Sequence, residues 1–221
     1  MRRFEFPVDR AHAKAVNETI ADLRRVAVTS IVLALVLGGG AVWLISVMHP
    51  WAYILAVVLA LGAATALWVA IWAPRRLGGI EQLYTDGALV PAVVTGTRKR
   101  GLILLALIDV GKPGTAPQFA LVTRKVKSLP GHKTEPGERV PSVSVRADRS
   151  PRPSTDSPQQ FIPMPIAWAT TDADVLARAV AAIAESEWKL LSDNIALADR
   201  VRQATNKRVI LDPKTLPRNL Q

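Results

Sequence analysis

The pattern of apolar and polar positions divides the chain sharply. Val26–Met48 and Trp51–Ala73 carry no charged side chain, whereas the segments before and after them mix apolar with polar residues every few positions. At about 1.5 Å of rise per helical residue each stretch reaches roughly 35 Å, against a hydrocarbon core of roughly 30 Å, so each predicts a helix that crosses a membrane. Only His49 and Pro50 lie between them. Proline cannot continue the hydrogen-bond ladder of the turn before it, so the two spans are expected as a tight hairpin.

Residues 1–25 are polar, with good helix formers from Val8 to Ala15, and predict a cytoplasmic helix that runs into the first span. Residues 74–88 read as a linker: Pro74, Arg75 and Arg76 stop the second span, Gly78 and Gly79 make a joint, and Ile80–Tyr84 is a short helical turn. A β-rich region, 89–170, follows. Leu89–Thr97, Gln118–Val126 and Arg139–Val145 have strand composition, and the continuous apolar run Leu102–Val110 predicts a strand buried on both faces. Phe161–Trp168 is a fifth strand, which Pro163 and Pro165 place at an edge or bend. Turn signals fall at Arg98–Gly101, Lys112–Gly114, Pro130–Gly131 and Pro136–Gly137, and the proline-rich 146–160 segment reads as a loop.

Residues 171–205 return to helical spacing. Thr171 is the expected N-cap with Asp174 three residues on; Leu176, Val180 and Ile183 share one face, and Trp188, Leu191, Ile195 and Ala198 form the stripe of a second helix, which either packs on the barrel or docks a partner. The tail, 206–221, is expected to be extended, with a short strand at Val209–Leu211. The fold class predicted is a membrane α-helical hairpin plus a cytoplasmic α+β domain, a small five-stranded OB- or SH3-like β-barrel followed by two C-terminal helices.

Charge then sets topology and partner classes. Arg2, Arg3, Arg10, Lys14, Arg24 and Arg25 precede the first span, Arg75 and Arg76 follow the second, and the turn between has neither Lys nor Arg; both termini are expected in the cytoplasm. A charged leader before a full-length span predicts that the first helix is retained. Trp43, Trp51, Tyr53, Trp68 and Trp72 are placed as interfacial anchors. The net charge is +10, and half of the 28 Lys and Arg residues fall between residues 74 and 160. That excess predicts attraction to anionic headgroups of about 1 kcal/mol per well-placed charge, through Arg75, Arg76, Arg98, Lys99 and Arg100. Nucleic acid would use the same charges, but the basic segment has few aromatics for base stacking and no nucleic-acid-binding signature.

The spans hold no Asp, Glu, Lys or Arg, which removes the usual signature of a proton relay or ion pathway. Ser30, Ala34 and Gly38 on the first, and Ala56, Ala60 and Ala64 on the second, recur every four residues and predict close packing within the hairpin or against another membrane protein. For docking to another membrane protein, Gly38, Gly39 and Gly40 are the expected point of closest approach.

Candidate chemistry is sparse. With no cysteine in the chain, disulfides, thiol catalysis and Cys-based zinc sites are excluded. The histidines at 12, 49 and 132 are scattered, and His12 reads as a solvated surface residue. No nucleophile elbow, phosphate loop, His-Glu-x-x-His or dinucleotide fingerprint occurs; Gly111–Thr115 is a turn, because the upstream glycine is missing and proline follows the lysine. Asp172 and Asp174 stand where a helix N-terminus favours negative charge, and Glu185 and Glu187 stand at the next helix start. No catalytic, metal or cofactor site is predicted.

The opening Phe4-Glu5-Phe6-Pro7-Val8-Asp9-Arg10-Ala11-His12-Ala13-Lys14-Ala15 and the stretch Pro163-Met164-Pro165-Ile166-Ala167-Trp168, with a two-span hairpin ahead of a β-domain, resemble an uncharacterised family of membrane proteins from corynebacteria and related actinobacteria. The resemblance runs to about residue 190. It implies a membrane setting, no established activity and no assigned functional residues. Three readings are compatible with all of this. The first is a non-enzymatic accessory or scaffold protein of the inner membrane that binds a protein partner, or a second copy, through its β-domain and the helix stripe Trp188, Leu191 and Ile195. The second is an anionic-lipid or small-ligand binding domain using Arg98, Lys99 and Arg100, and the third is an envelope-related enzyme.

Overall fold

A computed structural model describes residues 2–76, 80–98, 101–111, 117–146, 161–204, 207–213 and 216–217, with the side chains at 73, 74 and 76 excepted. The chain divides into two compact units, Glu18–Gly78 and a second one made of Met1–Asn17 together with Gly79–Gln221. The expected glycine joint at Gly78–Gly79 and most of the 146–160 loop lie outside the described residues.

The first unit is the hairpin. Its helices α2 (Glu18–Ser46) and α3 (Pro50–Arg76) are both apolar and long enough to cross a membrane. They meet along small residues. Ala41 of α2 and Ala52, Ala56, Ala66 and Ala70 of α3 are buried, while Ser30, Ala34 and Gly38 lie on the partly shielded stripe of α2. Ala60 and Ala64, expected beside Ala56, are exposed instead. With 3.6 residues per turn a strict four-residue row drifts off the contact face, and the real stripe alternates steps of three and four. Of the three consecutive glycines only Gly40 meets α3: a Cβ there would lie 3.3 Å from Leu59 Cδ1, and Gly38 and Gly39 have open space. Gly62 makes a second close approach, 3.1 Å from Leu37 Cδ1. Met48, at φ 57°, takes the left-handed conformation that ends α2 and starts the reversal.

Among the described residues every large, exposed apolar side chain except Ile210 lies between Val26 and Trp72. Leaving each in water rather than in an apolar phase costs about 1.5–3 kcal/mol. Lipid is the solvent that removes this cost, so the hairpin is a membrane element.

The second unit is built on one antiparallel sheet. Its strands are β1 (Ala88–Arg98), β2 (Gly101–Asp109), β3 (Phe119–Val126), β4 (Arg139–Arg146), β5 (Phe161–Pro165) and β6 (Arg208–Ile210), in the order β5-β4-β1-β2-β3-β6. There are six strands, not the five expected, because the tail pairs Arg208–Ile210 with Ala120–Val122 of β3. Nor does the sheet close as an OB barrel. A register shift at Thr95 of β1 adds twist, and the sheet curls into a half-barrel in which side chains bridge the gap: Arg124 of β3 donates to the Pro163 carbonyl of β5 at 2.8 Å. The prolines do put β5 at an edge, where a missing N–H costs no ladder bond.

Both faces of the sheet are covered, which explains the unbroken apolar run of β2. Residues paired across the strands share a face: Val93, Leu105, Thr123 and Arg139 on one, Ala92, Ala106, Val122 and Val140 on the other. The helices α5 (Ala173–Ala181), α6 (Glu185–Asp193) and α7 (Ala198–Gln203) pack on β4, β1 and β3. The face of Arg139 meets α6 and its Trp188, while Arg124, on the opposite face, lies 4.8 Å from the ring of Trp168. Asp172, rather than Thr171, caps α5 by accepting from the Asp174 and Val175 N–H groups. The long second helix expected to about residue 205 breaks at Asn194, whose side chain turns back to the Leu190 carbonyl.

The N-terminal segment belongs to this unit. Phe4, Phe6 and Val8 pack on its core, the Leu89 N–H donates to the Arg2 carbonyl at 2.7 Å, and the Asp9 N–H donates to the Ala169 carbonyl at 2.8 Å. Asp9 then caps a separate helix, α1 (Arg10–Val16), which ends at Asn17 in an extended conformation. The continuous helix expected from this region into the span is therefore interrupted. Asn17 is fully buried, and its amide donates to Tyr84 Oη at 3.1 Å and contacts Met164 Sδ at 3.4 Å. Tyr84, on the short helix α4 (Ile80–Thr85), donates in turn to the Pro165 carbonyl, and burial pushes its phenol well above the ordinary pKa. Tyr84→Phe removes the buried bonds to Asn17 and Pro165 and is expected to destabilise the protein by about 1–3 kcal/mol, measured by denaturant unfolding in detergent followed through tryptophan fluorescence.

Candidate functional site

The second unit carries an open groove of about 620 Å³, within the range of about 300–1,000 Å³ typical of ligand pockets. One wall is α5, which contributes Ala173, Leu176, Ala177 and Val180 at helical spacing. The other is the loop from β3 to β4. Gly131 and Gly137, at φ 74° and 92°, take left-handed conformations that fold this loop tightly, and the Gly137 N–H anchors it to the Val94 carbonyl at 2.8 Å. Two turns thereby bring together His132 and Glu138, six positions apart.

His132 Nδ1 lies 3.2 Å from Glu138 Oε1, and the carboxylate fixes Nδ1 as the protonated nitrogen. The His132 side chain is 7 % exposed, and its Nε2 is buried with no protein partner among the described residues. A buried acceptor left unpaired costs about 1–3 kcal/mol. Glu135 completes the polar lining on the loop side.

Arg139, at the start of β4, closes the end of the groove. Its guanidinium makes a two-pronged pair with Glu185, with Nη1 to Oε2 at 2.9 Å and a second bond between Nη2 and Oε1, and sits 5.4 Å from the centre of the Trp188 ring. The bond from Arg139 holds the Glu185 carboxyl below its ordinary range. Two residues on, Glu187 is largely buried and takes both prongs of Arg2, at 3.1 and 3.2 Å. The first turn of α6 thus fastens both the sheet and the N-terminal segment.

The expected site residues are scattered. Trp188 and Leu191 are fully buried against the sheet and Ile195 is half-buried, so of the two readings of the stripe, packing on the barrel and a partner surface, the structure takes the first. Arg98 is exposed at the end of β1 and shares Asp199 with Arg202. Lys125 and Lys127 lie at the adjoining end of β3, giving a basic end to the domain. Lys99 and Arg100 lie outside the described residues. Arg75 is exposed near the end of α3, and the side chain of Arg76 is not described. His12 is not simply solvated: its Nε2 lies 3.0 Å from the Ala167 carbonyl. The groove was not legible as a site, although the Pro130–Gly131 and Pro136–Gly137 turns that build it were. Among the described residues no three His, Asp or Glu side chains gather as a metal site.

Residues 75–199 match a family described as Protein of unknown function (DUF3239). The chain belongs to the DUF3239 family. A crystal structure described as "a putative membrane protein from Corynebacterium diphtheriae" is 37% identical, with a TM-score of 0.50, covering 56% of this chain and 99% of its own. No curated protein matches the chain. The groove-forming segments, from Gly131 to Arg139 and from Ala173 to Val180, and Glu185 all fall inside the matched region of this DUF3239 protein, whereas Arg2 and α1 precede it.

Because the folded-state pKa of Glu185 is depressed, its pairing stabilises the fold fully above the ordinary glutamate value of about 4.5 and the contribution is lost as pH falls through the depressed value. Glu185→Gln is accordingly expected to lower stability slightly at all pH values above about 4.5 and to flatten the acid limb, the variant and the parent converging at low pH, read by thermal unfolding across a pH series.

Proposed function

We propose that this DUF3239 protein is a non-enzymatic accessory protein of the inner membrane: the hairpin holds the half-barrel domain at the cytoplasmic face, where the domain docks a protein partner. The observation that carries this reading is the discontinuous domain. Residues 2–17 and the chain from Ile80 onward pack into one unit, with Asn17 bonded to Tyr84 and Arg10 paired to Glu81 at 2.8 Å. Segments on either side of the hairpin that share a core lie on one side of the membrane, and the flanking Arg and Lys residues favour the cytoplasmic side. Spans without Asp, Glu, Lys or Arg supply attachment rather than transport, and the second unit offers a groove of ligand size beside an apolar helix wall.

A second reading, binding of anionic headgroups, is favoured by the basic end formed by Arg98, Lys125, Lys127 and Arg202. One experiment separates the two. Gentle detergent extraction of the tagged native protein, followed by mass measurement of the intact complex, is expected to give a stoichiometric protein partner that survives moderate salt. Recovery of the chain alone, carrying only anionic lipid, contradicts the docking role and favours lipid binding.

A further inference from the structure

We propose that the α5 groove binds a peptide segment in which a Lys or Arg stands beside apolar side chains, and that this is the chemistry by which the domain holds its partner. The inference rests on the docking role and specifies its site. The polar wall of the groove accepts. Glu135 and Glu138 are carboxylates, with Glu138 Oε1 3.2 Å from His132 Nδ1. The one charged donor among the lining side chains, Arg139, is engaged by both oxygens of Glu185 and stacked near Trp188.

The electrostatics are therefore local and opposite to those of the whole. The chain carries +10, yet this lining presents two carboxylates against one committed guanidinium. An ammonium or guanidinium is the group that forms charge-assisted bonds with such acceptors. The facing wall explains why the occupant is a peptide rather than a bare cation. Leu176, Ala177 and Val180 offer apolar surface that the stem of Lys or Arg and a neighbouring aliphatic side chain can cover, which is how apolar anchors at regular spacing are read by groove-binding domains. A free polyamine meets the same acceptors but leaves that wall uncovered.

The test uses the full chain in zwitterionic nanodiscs and a fluorescent peptide of alternating leucine and lysine, with anisotropy as the readout and empty nanodiscs as the blank. Glu135→Lys and Ala177→Lys change exposed groove positions and are expected to weaken binding at least tenfold. Arg98→Glu, at the basic end, is expected to leave it within twofold, as is excess spermidine. A leucine–glutamine peptide is expected not to bind. Equal affinity for the parent, Glu135→Lys and Ala177→Lys overturns the proposal, and full competition by spermidine overturns the peptide assignment. If a natural partner co-purifies undiminished with both variants, the groove claim falls while the docking role stands; a chain that extracts alone removes the role itself.

Discussion

The chain leaves the sheet domain for the hairpin at Asn17 and returns at Ile80, and the contact between those two places is the constraint on which the rest depends. A fully buried asparagine amide has no water to turn to, so it must find acceptors in the fold; here it bonds Tyr84 Oη, and Tyr84 reaches the Pro165 carbonyl. Outside this node the exposed Arg10–Glu81 pair repeats the join on the surface. Because the node ties α1 to α4 and both to β5, the hairpin is an insertion within a domain rather than an anchor placed before one. The N-terminal segment is then structural, completing the domain through Phe6 against Tyr84, the Asp9 bond to Ala169 and the Arg2–Glu187 pair.

The sheet provides the rigid body that this join grips. Its central strands are covered on both faces, by α6 with Trp188 on one and by the Trp168 turn on the other, and each indole finds a carbonyl, Val180 for Trp188 and Ser128 for Trp168. Arg124 and Arg139 play matching parts on opposite faces, each lying over one of those rings while bonding a fixed oxygen. The groove beside α5 is thus walled by elements that are each tied to the sheet.

Much of this was legible in the sequence where one rule acts alone. The spans followed from the absence of charge, the double burial of β2 from its unbroken apolar run, and the edge position of β5 from Pro163 and Pro165. The misses share a cause: a tertiary partner decided the outcome. Asn17 ends α1 because Tyr84 and Met164 hold its side chain, and no local propensity announces that. β6 is a three-residue strand recruited by the edge of β3, so a count from the longer runs stopped at five. The stripe of Trp188, Leu191 and Ile195 was open to packing on the barrel or to a partner, and the sheet takes it. The groove's His132 and Glu138 are joined by two glycine turns whose direction only the folded loop fixes. The two stretches that carried the family resemblance, from Phe4 to Ala15 and from Pro163 to Trp168, turn out to touch, through Asp9 with Ala169 and His12 with Ala167.

Both flanks of the hairpin form one domain, which the proposed function puts on the cytoplasmic side. The chain has no cysteine, which makes single-cysteine labelling clean. Lys14→Cys, Lys189→Cys and His49→Cys, each at an exposed position, can be treated in intact cells with a membrane-impermeant maleimide. The account predicts labelling at position 49 alone, with positions 14 and 189 reacting only after the membrane is opened. Labelling of position 14 or 189 in intact cells would contradict it.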